Sequence, residues 1–211
     1  MKKLTNSLGL IALLMCALGS EAHADIIVDA GTPNQPGSAI MLSAGQWLAA
    51  EFTTTQAWQI DSLKGFINAD TSNPDNATYT VALYGNAANN RPDTTSELFA
   101  QQATFGTDGW NGLQGLNVAL NAGTYWLAFE VRAGDTLPGD TLQGLMPVSA
   151  PNPLQTASND PNASFGYIPT TGAAYNVGIQ ISAVPVPPSL FLFASGLLAM
   201  GGCRLVKRQA I

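Results

Sequence analysis

Glu51, Glu97 and Glu130 are the glutamates lying between Asp25 and Val184, and they are the side chains there best suited to acid–base work. Two carboxylates flanking a glycosidic bond, one as acid and one as base or nucleophile, suffice for glycoside hydrolysis. Glu51 and Glu130, however, each sit inside an alternating run whose patterning sends them toward solvent. No spacing in the sequence brings any two of the three together, so Glu51 and Glu130 are expected to be solvated strand residues and no catalytic residue is assigned.

Oxygen ligands gather in two places. Asp70, Asn73, Asp75 and Asn76 lie in one turn-rich stretch, Asp135 and Asp140 in another, and such hard donors suit Ca²⁺. Their spacing does not match a twelve-residue EF-hand loop, and Asx-rich turns also satisfy themselves by local hydrogen bonds. Asp70, Asp75, Asp135 and Asp140 are the calcium candidates, and no other cofactor is expected. Sugar recognition needs an aromatic face for the apolar side of a pyranose and polar groups for its hydroxyls. Trp110, within Thr107-Asp108-Gly109-Trp110-Asn111-Gly112, reads as a loop tryptophan with Asp108 and Asn111 beside it, and these three are the ligand candidates. The competing expectation is an indole folded back to plug the end of the domain. Trp47, Trp58 and Trp126 fall in strand-like runs, as core or sheet-face residues. Asn76-Ala77-Thr78 and Asn162-Ala163-Ser164 match the glycosylation acceptor pattern, which recurs by chance and is given no role.

What the central region lacks narrows the chemistry further. The histidine, His23, and both cysteines, Cys16 and Cys203, lie outside residues 25–183. Ser-His-Asp and Cys-His nucleophiles, zinc sites built on imidazole or thiolate, and thiol redox chemistry therefore have no residues to use. Between Asp25 and Val184 the basic side chains are Lys64, Arg91 and Arg132 against thirteen acids, a net charge of −10. That balance argues against nucleic acid, whose binding needs basic patches, and against an anionic lipid surface.

The elements that must position these residues are strands. Short alternating runs separated by Gly, Pro, Asn and Asp fill 25–183 and predict an all-β, antiparallel sandwich of eight or more strands. The clearest run is Thr78 to Tyr84, with Tyr79, Val81 and Leu83 on one face. A second is Thr124 to Val131, entered through Asn121-Ala122-Gly123, with Tyr125, Leu127, Phe129 and Val131 inward and Glu130 outward. A third is Tyr175 to Ala183; Gln46 to Thr53 and Trp58 to Asn68 complete a pair. Two stretches, Ala69 to Ala77 and Gly134 to Asn162, look too polar for a core and are expected to be functional or mobile loops. The aromatic strand pair, the Tyr-x-Val-x-Leu-Tyr strand and the late Ala-Gly-Thr-Tyr-Trp strand resemble a jelly-roll sandwich of the kind found in carbohydrate-binding modules.

The two ends carry address signals. Met1-Lys2-Lys3, the apolar run Leu8 to Leu18 and Ala22-His23-Ala24 form a secretory signal over residues 1–24, with Ala22 and Ala24 framing cleavage before Asp25. Met15 occupies the place before Cys16 where a lipoprotein signal carries a small residue, so Cys16 belongs to the apolar run. Residues 184–211 combine Pro185-Val186-Pro187-Pro188-Ser189, an apolar stretch from Leu190 to Cys203 and the basic residues Arg204, Lys207 and Arg208, the pattern of a helix halted at the cytoplasmic face. Fourteen residues at about 1.5 Å each span only about 21 Å of a roughly 30 Å hydrocarbon core, a short and temporary anchor.

This tail, Val184 to Met200 with its basic end, resembles the PEP-CTERM sorting signal of Gram-negative bacteria, with Val186 standing where the family's proline box usually has Glu. The resemblance covers about the last 28 residues. It implies recognition by an exosortase at the inner membrane, removal of the tail, and delivery to the cell surface or medium beside exopolysaccharide. The expected protein is thus an exported, non-catalytic surface or matrix protein whose partners are the exosortase and extracellular polysaccharide. A polysaccharide-active enzyme and a purely structural matrix protein are the alternatives.

Overall fold

The computed structural model describes residues 23–34, 38–68, 76–137, 144–159, 166–170 and 175–186. Thirteen strands run through them: β1 (Asp25–Asp29), β2 (Ala39–Met41), β3 (Trp47–Thr54), β4 (Trp58–Ile67), β5 (Thr78–Asn86), β6 (Pro92–Thr104), β7 (Gly109–Leu113), β8 (Val118–Leu120), β9 (Gly123–Glu130), β10 (Leu145–Pro147), β11 (Thr156–Asn159), β12 (Ile168–Thr170) and β13 (Ile179–Pro185). They form a five-stranded sheet ordered β1-β13-β4-β7 with β8 also on β4, a six-stranded sheet ordered β12-β11-β3-β9-β5-β6, and a small β2-β10 pair. The pairings within these sheets are antiparallel.

Alternation explains how the two large sheets face each other. Leu48, Ala50 and Phe52 of β3, Tyr79, Val81 and Leu83 of β5, and Leu127 and Phe129 of β9 meet Ile60, Leu63 and Ile67 of β4 and Ile179, Ile181 and Ala183 of β13 in one buried cluster. The sheets pack tightly at Gly65, where a Cβ would lie 2.7 Å from Cζ of the buried Phe129 and 3.0 Å from Cε of Met146. Glycine on β4 makes room there for the ring from β9.

The predicted strands are present, with differences at their ends, but Gln46–Thr53 and Trp58–Asn68 do not form a pair: β3 lies between β11 and β9 in the six-stranded sheet and β4 between β13 and β7 in the five-stranded one. The third run begins at Ile179 rather than Tyr175, because Tyr175 and Asn176 form a short turn and an isolated bridge to Ser149. It also continues through Val184 and Pro185, which pair with Gln59 and Trp58, so the sheet takes in two residues that the tail pattern claimed. β6 has no counterpart in the sequence reading: its middle, Thr94 to Leu98, is exposed and polar, and edge position rather than hydrophobic alternation makes it a strand. The polar stretch from Gly134 is not simply loop. It contributes β10, β11 and the buried Leu137, Met146, Ala150 and Ala157, with single apolar side chains spaced among turn residues. Of the first stretch, 69–75 lies outside the described residues, while Asn76 adopts φ 88° and Ala77 is buried.

Both flanking helices fall outside the described residues, as do Ala22, Pro187, Arg204, Lys207 and Arg208; Ala24 is exposed just before β1. Among the described residues no helix is long and apolar enough to cross a membrane.

Filling the Gly65 gap should be costly. Gly65→Ala is expected to lower the unfolding free energy by about 1–3 kcal/mol through overpacking against Phe129. In urea melts the double variant with Phe129→Leu should lose less than the sum of the two single variants, because the smaller side chain relieves the clash.

Candidate functional site

The outer face of the six-stranded sheet carries a connected network of charged and hydroxyl side chains. Register places Ala157, Ala49, Ala128, Ala82 and Ala100 side by side across β11, β3, β9, β5 and β6. These methyls floor a strip on which Tyr84, Trp126 and Tyr167 pack as a second buried cluster. Larger side chains would lift those rings off the sheet.

Glu130 lies at one border of the strip. Alternation does turn it away from the main core, as its pattern predicts, but it does not reach solvent: its relative exposure is 0%. The expectation of a solvated glutamate fails because this sheet is covered on both faces. Its Oε1 accepts hydrogen bonds from the hydroxyls of Tyr167 (2.6 Å) and Tyr84 (2.9 Å), and its Oε2 accepts from Nε of Arg132 (2.5 Å). Nη2 of Arg132 donates to Glu97 Oε2 (2.5 Å) and to the Tyr84 hydroxyl (2.8 Å). Glu97 and Glu130, which no sequence spacing joins, thus meet on one guanidinium. A buried carboxylate is stable only when paired and hydrogen-bonded, and Glu130 meets both conditions.

Electrostatics follow from that closure. Burial opposes the charge on Arg132, but the hydrogen bond to Glu97 and the nearby Glu130 outweigh it and hold the guanidinium above its ordinary range. Burial, and after it the charge of Glu130, pushes the Tyr84 and Tyr167 phenols up, and burial alone does so for Tyr79.

Glu51 occupies the opposite border. The indole nitrogen of Trp126 donates to Asn86 Oδ1 (2.8 Å), Asn86 Nδ2 to Asn90 Oδ1 (3.1 Å), and Asn90 Nδ2 to Glu51 Oε2 (2.8 Å). The β5–β6 turn makes this relay: Asn90 takes φ 53°, a left-handed conformation Asn tolerates, and so swings its amide back over the sheet. Register sets Glu51 beside Trp126, Trp126 beside Tyr84 and Tyr84 beside Glu97. Three strand spacings, about 14 Å, therefore separate the backbones of Glu51 and Glu97.

The calcium and ligand candidates fare differently. Asp70, Asp75 and Asp140 lie outside the described residues. Asp135 Oδ2 accepts from Thr80 Oγ1 (2.8 Å) and the Arg132 amide (2.8 Å), and Oδ1 from Gln102 Nε2 (2.9 Å), so this carboxylate pins the turn after β9 to β5 and β6. No group of three or more His, Cys, Asp or Glu side chains that could hold a metal gathers among the described residues. Trp110 is not in a loop. It lies on β7, the edge of the five-stranded sheet, edge-to-face with Phe66 of β4 at 5.5 Å and 89°. Asn111 alternates to the other side and is buried, its Nδ2 donating to the carbonyls of Thr107 (2.8 Å) and Gly109 (3.0 Å) and its Oδ1 accepting from the Gly106 amide (3.0 Å). It holds the turn and is withdrawn from any ligand; Asp108 is exposed in that turn. Trp47 and Trp126 belong to the covered face, and Trp58 packs against the main core.

Sequence reasoning missed Tyr84, Arg132 and Tyr167 as partners of Glu130. The available signal was Arg132 itself, one of the domain's three basic side chains, two residues beyond a glutamate in an apolar strand. No protein-family model matches the chain, and the search of curated proteins returned no match.

Arg132→Met leaves Glu130 buried without its cation and should cost about 3–5 kcal/mol in urea unfolding, part of it recovered on adding Glu130→Gln. The raised phenols set the alkaline limit. The unfolded chain releases tyrosine protons from about pH 10 while the folded chain holds them, so stability present below pH 10 is lost above it. The loss reaches up to about 1.4 kcal/mol per pH unit for each fully buried tyrosine. Denaturation midpoints should be level to about pH 9 and fall beyond pH 10, with a shallower fall for Tyr167→Phe.

Proposed function

We propose that this is an exported, exosortase-sorted surface or matrix protein of a Gram-negative bacterium, non-catalytic and associated with exopolysaccharide, built on a jelly-roll-like sandwich. The observation that carries the non-catalytic part is the occupancy of the glutamates. Glu130 is sealed under Tyr84, Tyr167 and Arg132, Glu97 is held by the same guanidinium, and Glu51 is held by Asn90. An acid or nucleophile must reach its substrate; Glu130 is closed off, and one oxygen each of Glu97 and Glu51 is taken up by an internal donor.

The address rests on the two end signals, and the fold is compatible with it. β13 is paired on both sides, to β1 and to β4, and ends at Pro185, the first proline of the sorting motif. Removal of the chain beyond that point leaves every strand of the sheet whole, so a released domain keeps its core. A structural matrix protein is the second reading, and β6 favours it: this long outermost strand of the six-stranded sheet is a template for pairing with another chain.

Intact mass of the protein recovered from medium and envelope tests the address. The expected species begins at Asp25 and ends between Val184 and Ser189. A species retaining Arg204 to Ile211 refutes release and removes the link to exopolysaccharide.

A further inference from the structure

We infer that the outer face of the five-stranded sheet, around Trp110, Phe66, Lys64 and Gln180, is a stacking platform for neutral hexopyranose polymers. The inference rests on the exopolysaccharide reading above and gives it a location.

Three observations converge. First, Trp110 and Phe66 are register partners on β7 and β4, half-buried, and neither belongs to the core cluster between the sheets. Phe66 meets Trp110 at 89°, fixing the orientation of the indole on the sheet edge. Pro33 and Phe66 both close on Gly178, where a Cβ would lie 2.9 Å from Pro33 Cδ and 3.0 Å from Phe66 Cβ, which continues the apolar ridge inward. An amphipathic ring held in place on an accessible face suits the C–H face of a pyranose.

Second, a polar row runs parallel to that ridge. Gly112, Lys64, Gln180 and Asp29 are successive register partners across β7, β4, β13 and β1. The two rows are two residues apart along the strands, about 6.7 Å. Gly112 has φ 152°, and a Cβ there would strike the Leu63 carbonyl oxygen at 2.1 Å, so the position next to the indole carries no side chain. Sugar hydroxyls lying over this bare backbone would face the Lys64 ammonium and the Gln180 amide.

Third, charge selects the class of polymer. Arg132 is engaged by two glutamates, whereas Lys64 makes no ion pair among the described residues, and an ammonium offers three donors to hydroxyls. The region's net charge of −10 repels a polyanion, so one lysine on this face does not suffice to hold a polyuronate.

The test is affinity electrophoresis of the mature protein recovered from its host, in gels containing a soluble glucan, a galactomannan or alginate. Retardation by a neutral polymer is expected, weakened at least tenfold by Trp110→Ala and severalfold by Lys64→Ala. Trp110→Phe should retain most of it, and Glu51→Gln, on the other sheet, should leave it unchanged. Matching thermal melts establish that the variants are folded. Binding unchanged in folded Trp110→Ala, retardation by alginate alone, or no retardation by any of the three overturns the platform. Cofractionation with the host's matrix polysaccharide separates this failure from that of the broader reading. If wild type and Trp110→Ala cofractionate equally, the platform falls and the reading stands; if wild type does not cofractionate, the reading itself falls.

Discussion

A carboxylate with no access to water must be compensated where it lies, and in this domain Glu130 imposes that condition on a whole sheet face. Its two oxygens accept from Tyr167, Tyr84 and Arg132, each of which comes from a different part of the chain. Tyr167 precedes β12, Tyr84 lies on the outer face of β5, and Arg132 follows β9. The compensation therefore ties together three segments that hydrophobic burial alone would leave free to shift. Arg132 in turn reaches Glu97 on β6, which carries the same network to the edge strand.

The row of alanines is the geometric counterpart of this network. Aromatic rings and a guanidinium can lie flat over a sheet only where the side chains beneath them are short, and Ala157, Ala49, Ala128, Ala82 and Ala100 meet that need across five strands. The two faces of the six-stranded sheet thus follow different rules. One is packed with large aliphatic and aromatic groups against the five-stranded sheet, and the other combines small residues with a hydrogen-bonded aromatic layer. The five-stranded sheet has the opposite arrangement: its inner face is apolar, while its outer face presents Trp110, Phe66, Lys64 and Gln180. Glu130 on the first sheet is closed to solvent, and Lys64 and Gln180 on the second stand beside the half-buried Trp110 and Phe66. This asymmetry, rather than the number of polar groups, sets the closed cluster of the first sheet apart from the partly open outer face of the second.

Period-2 alternation in the sequence was enough to determine the all-β class, the positions of β3, β4, β5 and β9, and the inward faces of β5 and β9, because side-chain direction in a regular strand follows parity. Composition was enough to exclude imidazole and thiol chemistry from the domain. Parity could not say whether an outward face is wet: Glu130 pointed away from the main core as read, but the segment that covers it comes from Tyr167, thirty-seven positions further on. Nor could local pattern reveal β6 or place Trp110 on an edge strand, since β6 is stabilised by pairing with β5, and Gly109 and Gly112 look like loop residues until β4 is beside them. Those decisions belong to strand pairing and to cover by distant segments, contacts that exist only after the chain has closed on itself.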